Sequence, residues 1–279
     1  MRPPHHLIRV TAAGLALGLL ATTITAVLAG HHTTPRTAAV PAPARPAPPR
    51  TRPAPPTDPH ILGWTLYDLT TNTVTADHGT GQTNHAASTI KIWLAGDALR
   101  RAGTHPTITL LRLVDAAIID SDNAAATALY LDGGGRSSLW RMTKTCNLTR
   151  TLPGRDGWGS TLTTAGDLAL LAACTAHGTV AGPTWTPLLL NRMRVINGVG
   201  RFGPPTALPD HDVAAKNGWL LVAGQWHVNC TAIIDNHWTL GIITRYPAAL
   251  GLAHGAQLCA DLTSQLFPHA HTGGRRRVL

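Results

Sequence analysis

The chain has 279 residues, with 23 Lys and Arg against 14 acids, and every acid is an aspartate. Such a length holds one large domain or two small ones, and the absence of glutamate excludes any mechanism built on a glutamate base, together with the H-E-x-x-H zinc motif. The +9 charge sits in the tails, six Arg and one Asp in residues 1–59 and Arg275-Arg276-Arg277 at the end; the nearly neutral middle argues against a nucleic-acid partner, because no basic helix with interleaved aromatics accompanies the tails.

Residues 1–30 place Arg2 and Arg9 before an apolar run, Val10 to Ala29, broken only by Thr and Gly. This predicts a signal peptide cleaved near Val27-Leu28-Ala29, or a retained membrane anchor. No cysteine follows the run, which argues against a lipoprotein start. Residues 31–59 are rich in Pro, Ala, Arg and Thr, an extended spacer that could reach roughly 90 Å as polyproline II. A folded domain is expected over 60–268, followed by a basic tail, 269–279. The basic tails suit an anionic membrane or wall polymer.

The domain opens with the strand-like run Ile61 to Leu69, a turn at Thr71-Asn72 and a second strand from Val74 to His78. From Ala87 the period becomes helical, with Ile90, Leu94, Ala98 and Leu99 on one face and Gly103 as a stop. Further helices are expected at 107–119, 121–131, 136–146, 163–177 and 184–196. Strands return at Val213–Val222, Trp226–Asp235 and Trp238–Tyr246, with Asp235-Asn236 as a turn, before a helix over about 251–267. The order predicts an α+β fold: an antiparallel sheet built from both chain ends, with a helical subdomain at about 88–205 inserted between them.

The cysteines are Cys146, Cys174, Cys230 and Cys259, with no C-x-x-C. An even count in an exported chain predicts two disulfides. Three pairings are possible; Cys146–Cys174 with Cys230–Cys259 is preferred because it staples neighbouring elements. Each bridge would add roughly 3 kcal/mol in the chain-entropy model.

Only three lysines are present, and two of them fall in short motifs. Ser88-Thr89-Ile90-Lys91 is S-x-x-K, Ser121-Asp122-Asn123 is S-D-N, and Lys216-Asn217-Gly218 is K-x-G, in that order. Ser88 and Lys91 lie one helical turn apart, so the amine can reach the hydroxyl. Such an amine becomes a base when burial or a nearby cation lowers its pKa, and Lys216 can supply that cation. Ser121 is placed to relay a proton, and Asn123 to hold a substrate amide. Any one box alone is commonly a solvated helix start; the ordered set of three is far more specific.

On these boxes the chain resembles the class A β-lactamase and penicillin-binding serine hydrolase superfamily over about residues 60–268, in particular exported actinobacterial serine hydrolases. The resemblance implies Ser88 as acylated nucleophile and Lys91 as its base or proton relay. It implies proton transfer and carboxylate binding by Ser121 and Lys216, and an oxyanion hole from the N–H groups of Ser88 and Trp219. It implies no cofactor and no metal, a β-lactam or a D-alanyl peptidoglycan peptide as substrate, and a monomer outside the cytoplasm, secreted to the wall or anchored at the membrane. The fifteen His show no ligand-like spacing.

Three departures matter. Asn217 replaces the usual Thr or Ser, although it could still donate to a carboxylate. The 33 positions between Ser88 and Ser121 are few, which implies a trimmed helical subdomain. The glutamate that activates the deacylating water in class A enzymes has no counterpart. Asp156 is the one acid between Cys146 and Thr163; one methylene shorter, it is either a substitute base or a turn residue in Gly154-Arg155-Asp156-Gly157. Asp167, behind Thr163-Thr164, reads as part of a helix cap. The rival readings are a true β-lactamase, with fast turnover, and a catalytically idle wall-binding module.

Overall fold

The computed structural model describes residues 58–268, so the 1–30 segment, nearly all of the 31–59 spacer and the 269–279 tail lie outside the described residues. In chain order come strands β1 (Ile61–Asp68), β2 (Thr73–His78) and β3 (Asn84–His85), then a 3₁₀ turn over Ala87–Ile90. Helices α1 (Lys91–Ala102), α2 (Ile108–Ile118), α3 (Asn123–Asp132) and α4 (Arg136–Thr145) follow. After β4 (Leu162–Thr163) come α5 (Ala165–Ala176), α6 (Gly182–Arg194) and the single turn α7 (Pro204–Ala207). The chain returns through β5 (Val213–Ala215), β6 (Gly218–Val222), β7 (Gln225–Ile234) and β8 (Trp238–Pro247) to α8 (Gly251–Leu266).

The main sheet runs β2-β1-β8-β7-β5, with β6 also paired to β7, and every pairing is antiparallel. β1 therefore pairs with β8, and the helices α1 to α6 form the insertion between the two ends of the sheet. This is the α+β arrangement expected. Asp235 and Asn236 both take the left-handed conformation, with φ of 52° and 50°, as a tight two-residue hairpin turn between β7 and β8 requires.

Two local expectations need correction, and one small sheet was not foreseen. Val213–Val222 is not one strand: it divides into β5 and β6 at Lys216-Asn217, where the Lys216 N–H still bonds to the Thr231 carbonyl at 2.9 Å. β3 and β4 pair as a separate two-stranded sheet, too short to give any periodic signal. The helix expected from Ala87 becomes regular only at Lys91, after the 3₁₀ turn.

Side-chain alternation along the sheet divides the core. Trp64, Leu66, Val228, Ile234, Leu240 and Ile242 face Leu258 and Leu262 of α8. On the other face Ile243 meets Ala165 and Leu168 of α5. Gly241 allows this approach, since a Cβ there would lie 2.2 Å from the Ala165 carbonyl. A separate helical core gathers Leu94, Leu99, Val114, Ile118, Leu129 and Met142, joined from the sheet by Ala214 and Ile233. Two disulfides, Cys146–Cys174 and Cys230–Cys259, join α4 to α5 and β7 to α8, which is the sequential pairing expected. Among the described residues no helix is long and apolar enough to cross a membrane.

Candidate active site

Ser88 lies in the 3₁₀ turn behind Ala87, whose φ of 49° bends the chain sharply before the nucleophile. β6 presses against this turn. A Cβ on Gly218 would stand 2.7 Å from the Ser88 nitrogen and 2.8 Å from both the Ala86 oxygen and the Thr89 nitrogen, so only glycine permits the approach. Ser88 is 8 % exposed and opens into a cavity of about 130 Å³ shared with Ser121, Asn123, Trp158, Trp219 and Leu220.

Ser121 is held at φ 58°, a costly conformation for a residue with a Cβ. The next residue, Asp122, caps α3 by accepting from the Ala125 N–H at 2.6 Å. Together these turn both the carbonyl and the hydroxyl of Ser121 towards α1. Lys91, fully buried, donates to the Ser121 carbonyl, to Ser121 Oγ at 3.3 Å and to Asn123 Oδ1 at 2.8 Å. Lys216 arrives from the sheet and donates to the same Ser121 Oγ at 2.8 Å. With both lone pairs of Ser121 Oγ taken, its own O–H is left to donate elsewhere.

Burial lowers the Lys91 amine to about 8, against the opposing pull of Asp122. Lys216 falls to about 7, through burial first and the charge of Lys91 second. Two cations on one hydroxyl favour a state with one proton fewer. The pair can therefore supply a neutral amine near pH 7 while one ammonium remains.

The three boxes thus meet around one cavity. Lys91 is one turn from Ser88, but its hydrogen bonds run to Ser121 and Asn123. Asn123 offers Oδ1 to Lys91, which leaves its N–H₂ group for a substrate amide. Asn217 departs from expectation. Its side chain donates to the carbonyls of Gly200 at 3.0 Å and Phe202 at 2.7 Å, so it has no N–H left for a carboxylate and instead ties the 198–203 loop to the sheet.

Trp158 was not legible as a site residue. Its ring lies 5.0 Å from the Lys91 nitrogen, in cation–π range, on the side where the Cys146–Thr163 segment lines the cavity. Asp156 is exposed and is not among the residues lining that cavity. Asp167 belongs to structure: its N–H bonds to the capping Thr164, and its buried carboxylate accepts from Arg150 N at 2.9 Å and Thr151 Oγ at 2.7 Å.

Buried amides hold the segment before Ser88. Asn229, the ladder partner of Gly218, donates to the His85 carbonyl at 2.6 Å, and its Oδ1 accepts from Asn84 at 2.8 Å. His227 Nδ1 lies 2.5 Å from Asn84 Oδ1. Burial, with His85 and Arg245 nearby, lowers His227 to about 4; neutral, it carries its proton on Nδ1 to satisfy the amide oxygen.

The fold has solved counterparts. TLA-3 extended-spectrum β-lactamase superposes with a TM-score of 0.62 at 15 % identity, covering 75 % of this chain and 94 % of its own. A β-lactamase from Chitinophaga pinensis gives 0.63 at 15 % identity, covering 74 % and 92 %. One from Streptosporangium roseum gives 0.59 at 18 % identity, covering 73 % and 90 %. At such identities the likeness is one of fold. No curated protein sequence matches the chain. The family model described as the β-lactamase enzyme family matches residues 102–269, which begins after the Ser88 box and takes in the other two. Spanning more than half of the sequence on this fold, that match makes the chain a β-lactamase-like serine hydrolase and a member of the β-lactamase enzyme family.

Proposed function

We propose that this hydrolase is acylated at Ser88 by β-lactams or D-alanyl peptidoglycan peptides outside the cytoplasm, and that it releases the acyl group slowly. The observation that carries this reading is one hydroxyl, Ser121 Oγ, shared by two buried lysines beside an accessible serine. The two coupled amines hold one titratable proton between them instead of two; with that proton on Lys216, neutral Lys91 takes the Ser88 proton as Oγ adds to the carbonyl carbon. The resulting oxyanion rests on the N–H groups of Ser88 and Trp219. The amide bond then breaks, Ser121 passes its proton to the leaving nitrogen, and Lys216 returns one to Ser121. The net result is an acyl-Ser88 ester and an amine nitrogen, released from a peptide but still tethered in an opened β-lactam, with no cofactor. The four disulfide-bonded cysteines are compatible with an extracytoplasmic enzyme.

Incubation with a reactive penicillin should add one ligand mass to the intact protein, absent in Ser88→Ala. Labelling that persists in Ser88→Ala would remove Ser88 from the mechanism. The acylation rate should also depend on pH through the lysines. Since the active pair holds one neutral amine and one ammonium, the rate should be greatest between about pH 7 and 8 and fall again above, once the second proton is lost. Below this range it should fall about tenfold per pH unit, as the neutral fraction does. Stopped-flow labelling from pH 5.5 upward measures the profile; a flat profile would contradict a lysine base.

A further inference from the structure

Where the described chain enters the domain, two neighbouring side chains meet a third from far along the sequence. Asp58 and His60 precede β1, and His254 lies in the first turn of α8. His60 Nδ1 is 2.9 Å from His254 Nε2 and 3.3 Å from Asp58 Oδ1, and one donor atom from each residue lies within 4.8 Å of the others. We propose that Asp58, His60 and His254 form a binding site for a divalent transition-metal ion of the zinc type, which clasps the start of the domain to its last helix.

Donor chemistry and spacing both point to such an ion. Two imidazoles and one carboxylate are a set that Zn²⁺ accepts, with its remaining position open to water. Tetrahedral zinc with bonds of about 2.0–2.1 Å sets its donors about 3.3 Å apart, close to the two short separations here. All three residues are partly exposed, so an ion can enter. The ligands are also held in place by contacts that involve no metal. The Tyr246 ring meets both imidazoles, at 5.9 Å for His60 and 4.9 Å for His254. Tyr246 Oη accepts from the Gly255 N–H at 2.9 Å, one residue beyond His254. The His60 carbonyl is fixed by the Arg245 N–H at 2.9 Å, and the His60 N–H donates to Asp58 Oδ1 at 2.8 Å. Without metal, the two rings share an N–H···N hydrogen bond. Binding moves that proton to an outer ring nitrogen and frees both lone pairs for the ion.

The site shares no residue with the Ser88 cavity, so its expected effect is on stability, by binding the folded state alone. It also revises the expectation of no metal: ligand-like spacing was sought along the sequence, whereas these imidazoles are 194 positions apart.

The test uses the tag-free full chain, stripped with a chelator and titrated with Zn²⁺ by calorimetry, alongside His60→Gln, His254→Gln and Asp58→Asn. Glutamine keeps the bulk and hydrogen bonding but is a poor zinc ligand, so these variants should fold. The wild type should bind one equivalent, with zinc raising its melting temperature. Either His→Gln variant should lose at least tenfold in affinity and lose the thermal shift, while penicillin labelling of Ser88 stays unchanged. No binding by the wild type at 100-fold excess zinc, or equal binding by the His60→Gln/His254→Gln double variant, would overturn the site; the second result would move the binding to the other histidines.

Discussion

Mixed with a chromogenic cephalosporin, the protein should release about one equivalent of product in a burst and then turn over slowly. The burst reports attack by Ser88. The slow phase reports hydrolysis of its ester, for which an incoming water needs a positioned base. Loss of such a base costs about 10²–10⁴ in rate, and this chain has no glutamate to supply one. Among the described residues, the one acid on the Cys146–Thr163 segment is Asp156, which points to solvent, while the Trp158 ring covers the lysine. Asp156→Asn should therefore leave the slow phase unchanged. Fast, sustained hydrolysis that disappears in Asp156→Asn would establish the β-lactamase reading instead.

Gly218→Ala should lower the acylation rate by about 10²–10³, the range observed when one oxyanion donor is lost. The new methyl group would meet three backbone atoms of the nucleophile turn at 2.7–2.8 Å, and backbone cannot rotate aside as a flexible side chain can. Either β6 or the turn must shift, which separates the N–H of Ser88 from that of Trp219. The clash involves the turn's backbone and leaves the bulk of both cores untouched, so the variant should stay folded, as circular dichroism and a melting curve would check. Acylation at the wild-type rate would mean that these two amides do not act as a pair.

Where local composition carries the signal, the fold was legible: the apolar, β-branched runs of β1, β7 and β8 and the helical spacing of Leu94, Ala98 and Leu99 in α1 stand in residue order. The nucleophile, its lysine and the two other boxes were legible for the same reason, since each is a local motif. What escaped depends on contacts between distant segments. The break between β5 and β6 arises because Asn217 turns its amide to the 198–203 loop, and nothing in Lys216-Asn217-Gly218 itself announces that loop. Trp158 matters only because its segment folds back over Lys91. Its flanking Gly157 and Gly159 were the one local hint, a large ring set in a pliable polar stretch.

Each disulfide lies inside one core or against it, and neither spans the seam at which Ser88 sits. At roughly 3 kcal/mol each, the two bridges together rival the 5–15 kcal/mol that keeps an ordinary domain folded. Reduction of both would therefore remove a large share of such a margin and raise the fraction of chains that are open, with Lys91 and Lys216 in water and no cavity formed around Ser88.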